Sequence, residues 1–176
     1  MPDLLPQRTL GRSGLEVSAI GFGAAMIGDL YSPVEELDAI ETICCALEKG
    51  VTLIDTSPLY GHGLSEHRIG AALRRAPQAK VILSTKVGRV TDPFSPSNNA
   101  VTGYLGGAPH AVNFDYSREG TMRSLEQSLI RLGRDHIDLV LVHDLERGAH
   151  GHRYDKVFES AMEGAAPTLT ALRKQG

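Results

Sequence analysis

Short apolar runs alternate along this chain with stretches in which apolar residues return every three or four positions. The runs end at Gly23, at Asp55 (Val51–Asp55), at Lys86 (Val81–Lys86) and at His143 (Ile137–His143). Their length and β-branched content read as strands covered on both faces. Between them the period is helical. Ser32-Pro33-Val34-Glu35 supplies an N-cap, a proline at the first helical position and a capping-box glutamate, which predicts a helix start. Leu37, Ile40, Cys44 and Leu47 then bury one face, and Gly50 is placed to end the helix. A second helix opens at Ser65, packs through Ile69, Ala72 and Leu73, and stops before Pro77. A third starts near Ser117, buries Met122, Leu125, Leu129 and Leu132, and reaches Gly133; a fourth runs from Pro167 to Lys174. At the N-terminal end, two β-capable pieces around Arg12-Ser13-Gly14 predict a hairpin over 8–18.

Strict strand–helix alternation predicts an α/β fold with a parallel sheet, either open and doubly wound or closed into a barrel. The spacing of the strand ends bears on that choice. Gly23 and Asp55 are 32 positions apart, and Asp55 and Lys86 are 31 apart. Lys86 to His143 is 57, which falls to 31 once the 26-residue stretch Thr91–Tyr116 is set aside as one long loop. A β-α-β unit consumes roughly 30 residues, so one period carries all four ends. Each end offers a polar or glycine group, as a barrel mouth requires when every strand feeds one pocket. A complete barrel of this kind takes about 250 residues, whereas this chain has 176. The expectation is therefore a single incomplete domain over 1–176: a hairpin, then four parallel strand–helix units over 19–176 that make the N-terminal half of a (β/α)8 barrel. Such a half leaves its outer strands unpaired, which predicts poor behaviour alone or self-association through the sheet edges.

Asp55, Tyr60, Lys86 and His143 stand where strands give way to loops, and their types fit one reaction. A phenol, with an ordinary pKa of about 10, exchanges protons poorly near neutrality. The Lys86 ammonium would favour its phenolate, the Asp55 carboxylate would hold that ammonium, and the His143 imidazole would orient a substrate oxygen. Singly, each has a plainer use: a strand-end cap, a solvated terminus, a packed turn, a structural histidine.

The stretch Leu10-Gly-Arg-Ser-Gly-Leu-Glu-Val-Ser-Ala-Ile-Gly-Phe-Gly23 closely resembles the opening of the aldo-keto reductases, and Asp55-Thr-Ser-Pro-Leu-Tyr-Gly61 resembles their active-site stretch. The likeness continues through Ser84-Thr-Lys86, Asp115-Tyr-Ser-Arg-Glu-Gly120, Ser124–Gly133 and Ile137–His143. That resemblance implies that Tyr60, Lys86, Asp55 and His143 form a catalytic tetrad and that the hairpin closes the barrel floor. It implies a nicotinamide cofactor, NADP or NAD, bound without a Rossmann fingerprint, with Gly23, Ala24 and Asp55 near its nicotinamide end. The adenosine and phosphate contacts of that family come from later strands. The Pro-Leu-Tyr-Gly-His-Gly-Leu-Ser-Glu stretch and the Val-His-Asp-Leu-Glu after the fourth strand resemble the branch that oxidises aldoses such as fucose, arabinose or galactose to lactones. Pyridoxal, which also presents a cyclic hemiacetal hydroxyl, is a close alternative. Aldehyde and alcohol substrates fall within the same chemistry.

Composition trims the field. With 18 basic and 21 acidic side chains and a formal charge of −3, the chain has no electrostatic footprint for nucleic acid. It has no basic leader with an apolar core and no long uncharged run, so the expectation is a cytoplasmic protein that does not enter membranes. Cys44 and Cys45 diverge on a helix and suit packing. No cysteine or carboxylate completes a metal set around the histidines; His62, near Tyr60, is the one expected to be able to touch substrate. A hydrolase would need a metal cluster or an activated nucleophile that the sequence does not display. The oxidoreductase activity is expected to be impaired in a chain of this length, and a non-catalytic binding module derived from the same scaffold, or an inactive fragment, stays open beside it.

Overall fold

The computed structural model describes residues 5–175. Strands β1 (Gln7–Thr9) and β2 (Glu16–Ser18) form the expected antiparallel hairpin. It is fastened at its end by Ser18, whose amide donates to Thr52 Oγ1 at 2.7 Å while its hydroxyl accepts from the Thr52 amide at 2.9 Å. Thr52 lies just before the next strand of the main sheet, so the hairpin meets that sheet at its N-terminal end, away from the polar strand ends.

The main sheet has four parallel strands in chain order: β3 (Phe22–Gly23), β4 (Leu53–Asp55), β5 (Ile82–Val87) and β8 (Leu139–Val142). Helices α1 (Glu36–Glu48) and α2 (Leu64–Arg75) pack on its convex side. The core between them is made by Ile43, Ile54, Ile69, Leu83 and Leu132, all essentially without solvent contact. The pleat sorts β5 into two sets. Leu83 packs in that core and Thr85 bonds into it, whereas Ser84 and Lys86 point to the concave side and meet Asp55. Leu141, the register partner of Lys86, is 44% exposed, so the concave face is open there. The sheet is an unsealed portion of a barrel wall.

Several boundaries differ from the sequence expectation, each for a visible reason. Helix α1 begins at Glu36, not at the Ser32 cap, because Arg68 captures the preceding segment. Its guanidinium donates to Val34 O, Ile27 O, Asp29 Oδ1 and Glu36 Oε2, each at 2.7 Å, and Asp29 Oδ1 also accepts from the Val34 amide. That holds Glu35 extended, with ψ 139°. Cys44 packs on the core as expected, but Cys45 is exposed.

The stretch Thr91–Tyr116 is not one loop. It contains most of an antiparallel hairpin, β6 (Arg89–Asp92) with β7 (Ala111–Phe114), and the short helix α3 (Asn99–Thr102). Gly88, at φ 96°, turns the chain out of β5 into β6, and a Cβ there would lie 2.3 Å from the Tyr116 ring. Val90 and Thr91 then face Asn113 and Val112, cross-strand pairs that favour the ladder.

Helix α4 (Arg118–Leu132) is capped as read: the Ser117 hydroxyl accepts from the Gly120 amide at 3.0 Å, and Gly133 terminates it at φ 62°. Its buried stripe, however, is Thr121, Ser124, Ser128 and Arg131 with Leu132, while Met122, Leu125 and Leu129 are only partly covered. Helix α2 sets this choice. Gly70 approaches so closely that a Cβ would sit 2.7 Å from the Arg131 carbonyl, and only small or hydrogen-bonded side chains fit that seam. After β8 the chain forms α5 (Arg147–His150), α6 (Tyr154–Glu163) and α7 (Ala165–Arg173), where the sequence pointed to a single helix from Pro167. Among the described residues no helix is long and apolar enough to cross a membrane.

Candidate active site

The four predicted groups converge at the C-terminal rim of the parallel sheet. Parallel register places Gly23 beside Asp55 and Asp55 beside Ser84. The Asp55 carboxylate accepts from Lys86 Nζ at 2.7 Å through one oxygen and from the Ser84 hydroxyl at 2.7 Å through the other. Lys86 Nζ also donates to Thr56 O at 2.8 Å and lies 4.7 Å from the centroid of the Tyr60 ring. The Lys86 side chain is 10% exposed and that of Asp55 36%. The ammonium is thus held by a carboxylate and a carbonyl while facing an aromatic ring, which positions it far better than a solvated lysine.

Tyr60 sits in a tight turn after β4. Tyr104, from the inserted segment, stacks on it with centroids 6.0 Å apart, and His143 stands edge-on at 6.0 Å. Of the neighbouring phenols, burial pushes Tyr104 and Tyr116 well above the ordinary tyrosine range. Tyr116 donates to His143 O at 2.6 Å and is a structural prop. Tyr60, by contrast, is half-buried and opens to the concave side.

His143 follows β8, with its amide donating to Val87 O at 2.9 Å. Its Nδ1 lies 2.9 Å from the Ser57 hydroxyl, and that hydroxyl already accepts from the Leu59 amide at 3.1 Å. The Ser57 hydroxyl thus anchors the ring through Nδ1 and leaves Nε2 as the ring nitrogen without a close hydrogen-bond partner among the described residues. Burial, aided by Arg89 and Lys86 and opposed by Asp144 and Asp55, lowers the His143 pKa to about 4.

A pH dependence follows. The unfolded imidazole takes up a proton near pH 6.5 and the folded one only near 4. Between those values the unfolded chain binds more protons, so stability declines as pH falls from about 6.5 to about 4 and His143 adds no further loss below that. Imidazole 15N shifts should show His143 still neutral at about pH 5.5; a charged ring at that pH would contradict the burial argument.

His62 does not reach the open side. It is buried at φ 55°, its Nδ1–H donates to His110 O at 2.9 Å, and its Nε2 accepts from the Thr102 hydroxyl at 2.9 Å. It pins the insertion against the Tyr60 turn. Of the histidines after β8, His150 is buried 3.1 Å from the Tyr116 hydroxyl and His152 is exposed. Gly23 faces solvent, and a Cβ there would meet nothing within 4 Å. Ala24 is enclosed in the core, its amide donating to Asp55 O at 2.9 Å and its carbonyl accepting from Ser65. A depression of about 640 Å³ lined by Glu41, Cys44 and Arg75 lies on the outer helices and contains none of these groups. Converging polar atoms, not concavity alone, mark the site.

Sequence reasoning missed Ser57, Ser84 and Tyr104. Ser57 and Ser84 lie two residues from Asp55 and from Lys86, within the Asp55–Gly61 and Ser84–Lys86 motifs, and the pleat alone places Ser84 on the carboxylate's side. Tyr104 carried no local signal, because its contact with Tyr60 depends on how the insertion folds back.

Residues 19–176 match the model of the Aldo/keto reductase family. The chain is 38% identical over 180 residues to a pyridoxal 4-dehydrogenase of Microbacterium luteolum, covering 97% of this chain and 52% of that protein. It is 33% identical over 171 residues to an L-galactose dehydrogenase of Arabidopsis thaliana, covering 96% of this chain and 45% of the relative. In structure it matches an aldo-keto reductase of Bacillus halodurans in its holo form with a TM-score of 0.68 and 29% identity, over 98% of this chain and 47% of that one. The chain spans about half the length of the curated relatives it matches.

Proposed function

Because the chain belongs to the aldo/keto reductase family, we propose that its Asp55–Tyr60–Lys86–His143 cluster serves hydride exchange between a nicotinamide dinucleotide, NADP or NAD, and an aldose. The observation that carries this reading is the Lys86 ammonium, tied to Asp55 at 2.7 Å and seated 4.7 Å from the Tyr60 ring, with the His143 ring at the same rim. The residues fit the cofactor: Gly23 leaves open space beside the Asp55 strand end, where a flat ring can approach with no side chain in its way. When bound, the nicotinamide accepts or supplies the hydride.

The chain's own groups handle the proton and the oxygen. In the oxidative direction, Tyr60 Oη takes the proton of the C1 hydroxyl of a cyclic hemiacetal, C1 loses its hydrogen with the electron pair, and the C–O bond becomes the carbonyl of a lactone. Asp55 fixes the Lys86 ammonium beside Tyr60, so that a positive charge faces the phenol that exchanges the proton. In this reading the Ser57 hydroxyl donates to Nδ1, so that the neutral His143 ring donates from Nε2 to the substrate oxygen and steadies its developing charge. Pyridoxal presents an equivalent hemiacetal hydroxyl and is the alternative substrate. The outer edges of β3 and β8 and the open face at Leu141 are where further strands, from additional polypeptide or a second copy, would complete the barrel domain.

The test is turnover. Incubation with NAD or NADP and a panel of aldoses and pyridoxal should raise nicotinamide absorbance; binding of the dinucleotide without any turnover would support a non-catalytic module instead.

A further inference from the structure

The tetrad leaves one charged group beside it without a role. Asp144, next to His143, holds φ 49°, a left-handed conformation that a non-glycine residue adopts at a cost. Its Oδ2 accepts from Arg89 Nη2 at 2.7 Å. Its Oδ1 lies 3.5 Å from His143 Nε2, too long for a good hydrogen bond, and accepts none among the described residues. The carboxylate is 32% exposed, whereas the Arg89 side chain is 13% exposed.

Arg89 cannot easily follow a mobile partner. Its guanidinium lies 3.8 Å over the Phe114 ring, Phe114 stacks on Tyr116 at 5.8 Å, and Tyr116 is bonded to His143 O. The inserted β6–β7 hairpin supplies this support, since Arg89 and Phe114 are register partners across it. The result is a fixed carboxylate with one oxygen occupied and one free, placed beside the nitrogen that faces a substrate oxygen.

We propose that Asp144, oriented by Arg89, is a specificity-determining residue that accepts a hydrogen bond from the hydroxyl on the carbon next to the reacting one. This inference rests on the functional reading above and deepens it. A substrate oxygen held at His143 Nε2 brings the substituent of the neighbouring carbon to Asp144 Oδ1. A hydroxyl there donates to a charged acceptor. A hydrogen in its place leaves the carboxylate unmatched, and a carboxylate in its place is repelled. The site thereby selects neutral aldoses that carry a hydroxyl on that carbon over their 2-deoxy counterparts and over acids.

The experiment compares galactose with 2-deoxygalactose in the intact chain, its Asp144→Gly variant and its Asp144→Asn variant. Glycine suits φ 49° and removes the side chain without backbone strain; asparagine keeps the shape and the Arg89 contact without the charge. In the parent, kcat/KM should favour galactose by about tenfold or more. In Asp144→Gly that preference should shrink to about twofold or less, with Asp144→Asn between. Saturation-transfer NMR in the presence of cofactor repeats the comparison as binding, so that a failure of hydride transfer is distinguishable from a failure of recognition. Preferential binding of galactose that is lost in Asp144→Gly supports the proposal even without turnover. An equal response to the two sugars in the parent, whether both bind or neither does, or a preference that survives Asp144→Gly, overturns it.

Discussion

Changing Tyr60 to Phe should lower kcat by about 10²–10⁴-fold, the range usually lost with a positioned proton donor or acceptor, while leaving dinucleotide affinity and thermal stability close to the parent values. Only Oη is removed. The ring keeps its stacking on Tyr104 and its face toward Lys86, so the turn after β4 has no reason to move. The informative contrast is Tyr104→Phe. That hydroxyl belongs to a buried phenol whose pKa is pushed upward by burial, so it neither releases nor accepts a proton at working pH, and its loss should cost far less in kcat. Steady-state kinetics with a dinucleotide titration separates the cases. Undiminished turnover in Tyr60→Phe would take Tyr60 out of its role, and equal losses in both variants would point to ring packing instead of proton exchange.

What the sequence disclosed, and what it hid, follows from the range of the forces involved. Strand ends, the Ser117 cap and the Gly133 stop depend on a few neighbouring residues; the structure reproduces the cap and the stop, and the strand ends to within one residue. The 31-residue spacing worked because the sheet is parallel and each return helix is of similar length, so Asp55, Lys86 and His143 fall on one rim. The start of α1 departs from the local signal because a remote guanidinium, Arg68, competes with the capping box for the same backbone. Helix α4 departs from its periodicity for a related reason: a buried Glu66–Arg131 pair and the close approach at Gly70 place serines and threonine where periodicity would place leucines. The inserted hairpin escaped because Gly- and Ser-rich residues 95–107 look like loop from one end to the other, whereas the ladder lies only at its two margins. Helix α6 has a clear one-sided apolar pattern that the sequence reading passes over, and Phe158 and Met162 remain 42% and 52% exposed.

Breaking the Glu66–Arg131 pair from one side should be the most destabilising change in the described core. Glu66 has no solvent exposure; Oε2 accepts from Arg131 Nε at 2.6 Å and Oε1 from the Thr85 hydroxyl at 2.7 Å. Arg131 reaches onward to Thr91 Oγ1 at 3.2 Å. One carboxylate thus joins α2, α4 and β5, and its partner extends the link to β6. Arg131→Met leaves that carboxylate charged and unpaired, at a cost of about 3–5 kcal/mol, a large share of the roughly 5–15 kcal/mol that holds a typical domain folded. Replacing both members, as Glu66→Leu with Arg131→Met, removes the stranded charge and should recover most of that loss. Urea titration of the parent, both single variants and the double variant yields the coupling directly. A single-variant cost below about 1 kcal/mol, in the range of a surface pair, would show that the carboxylate finds solvent. The consequence reaches the rim, because Thr85 immediately precedes Lys86 and Thr91 shares a strand with Arg89. Loosening this pair should therefore blur the placement of the Lys86 ammonium and of the Arg89–Asp144 contact together, visible as parallel line broadening of their side-chain NMR signals in variants that still fold.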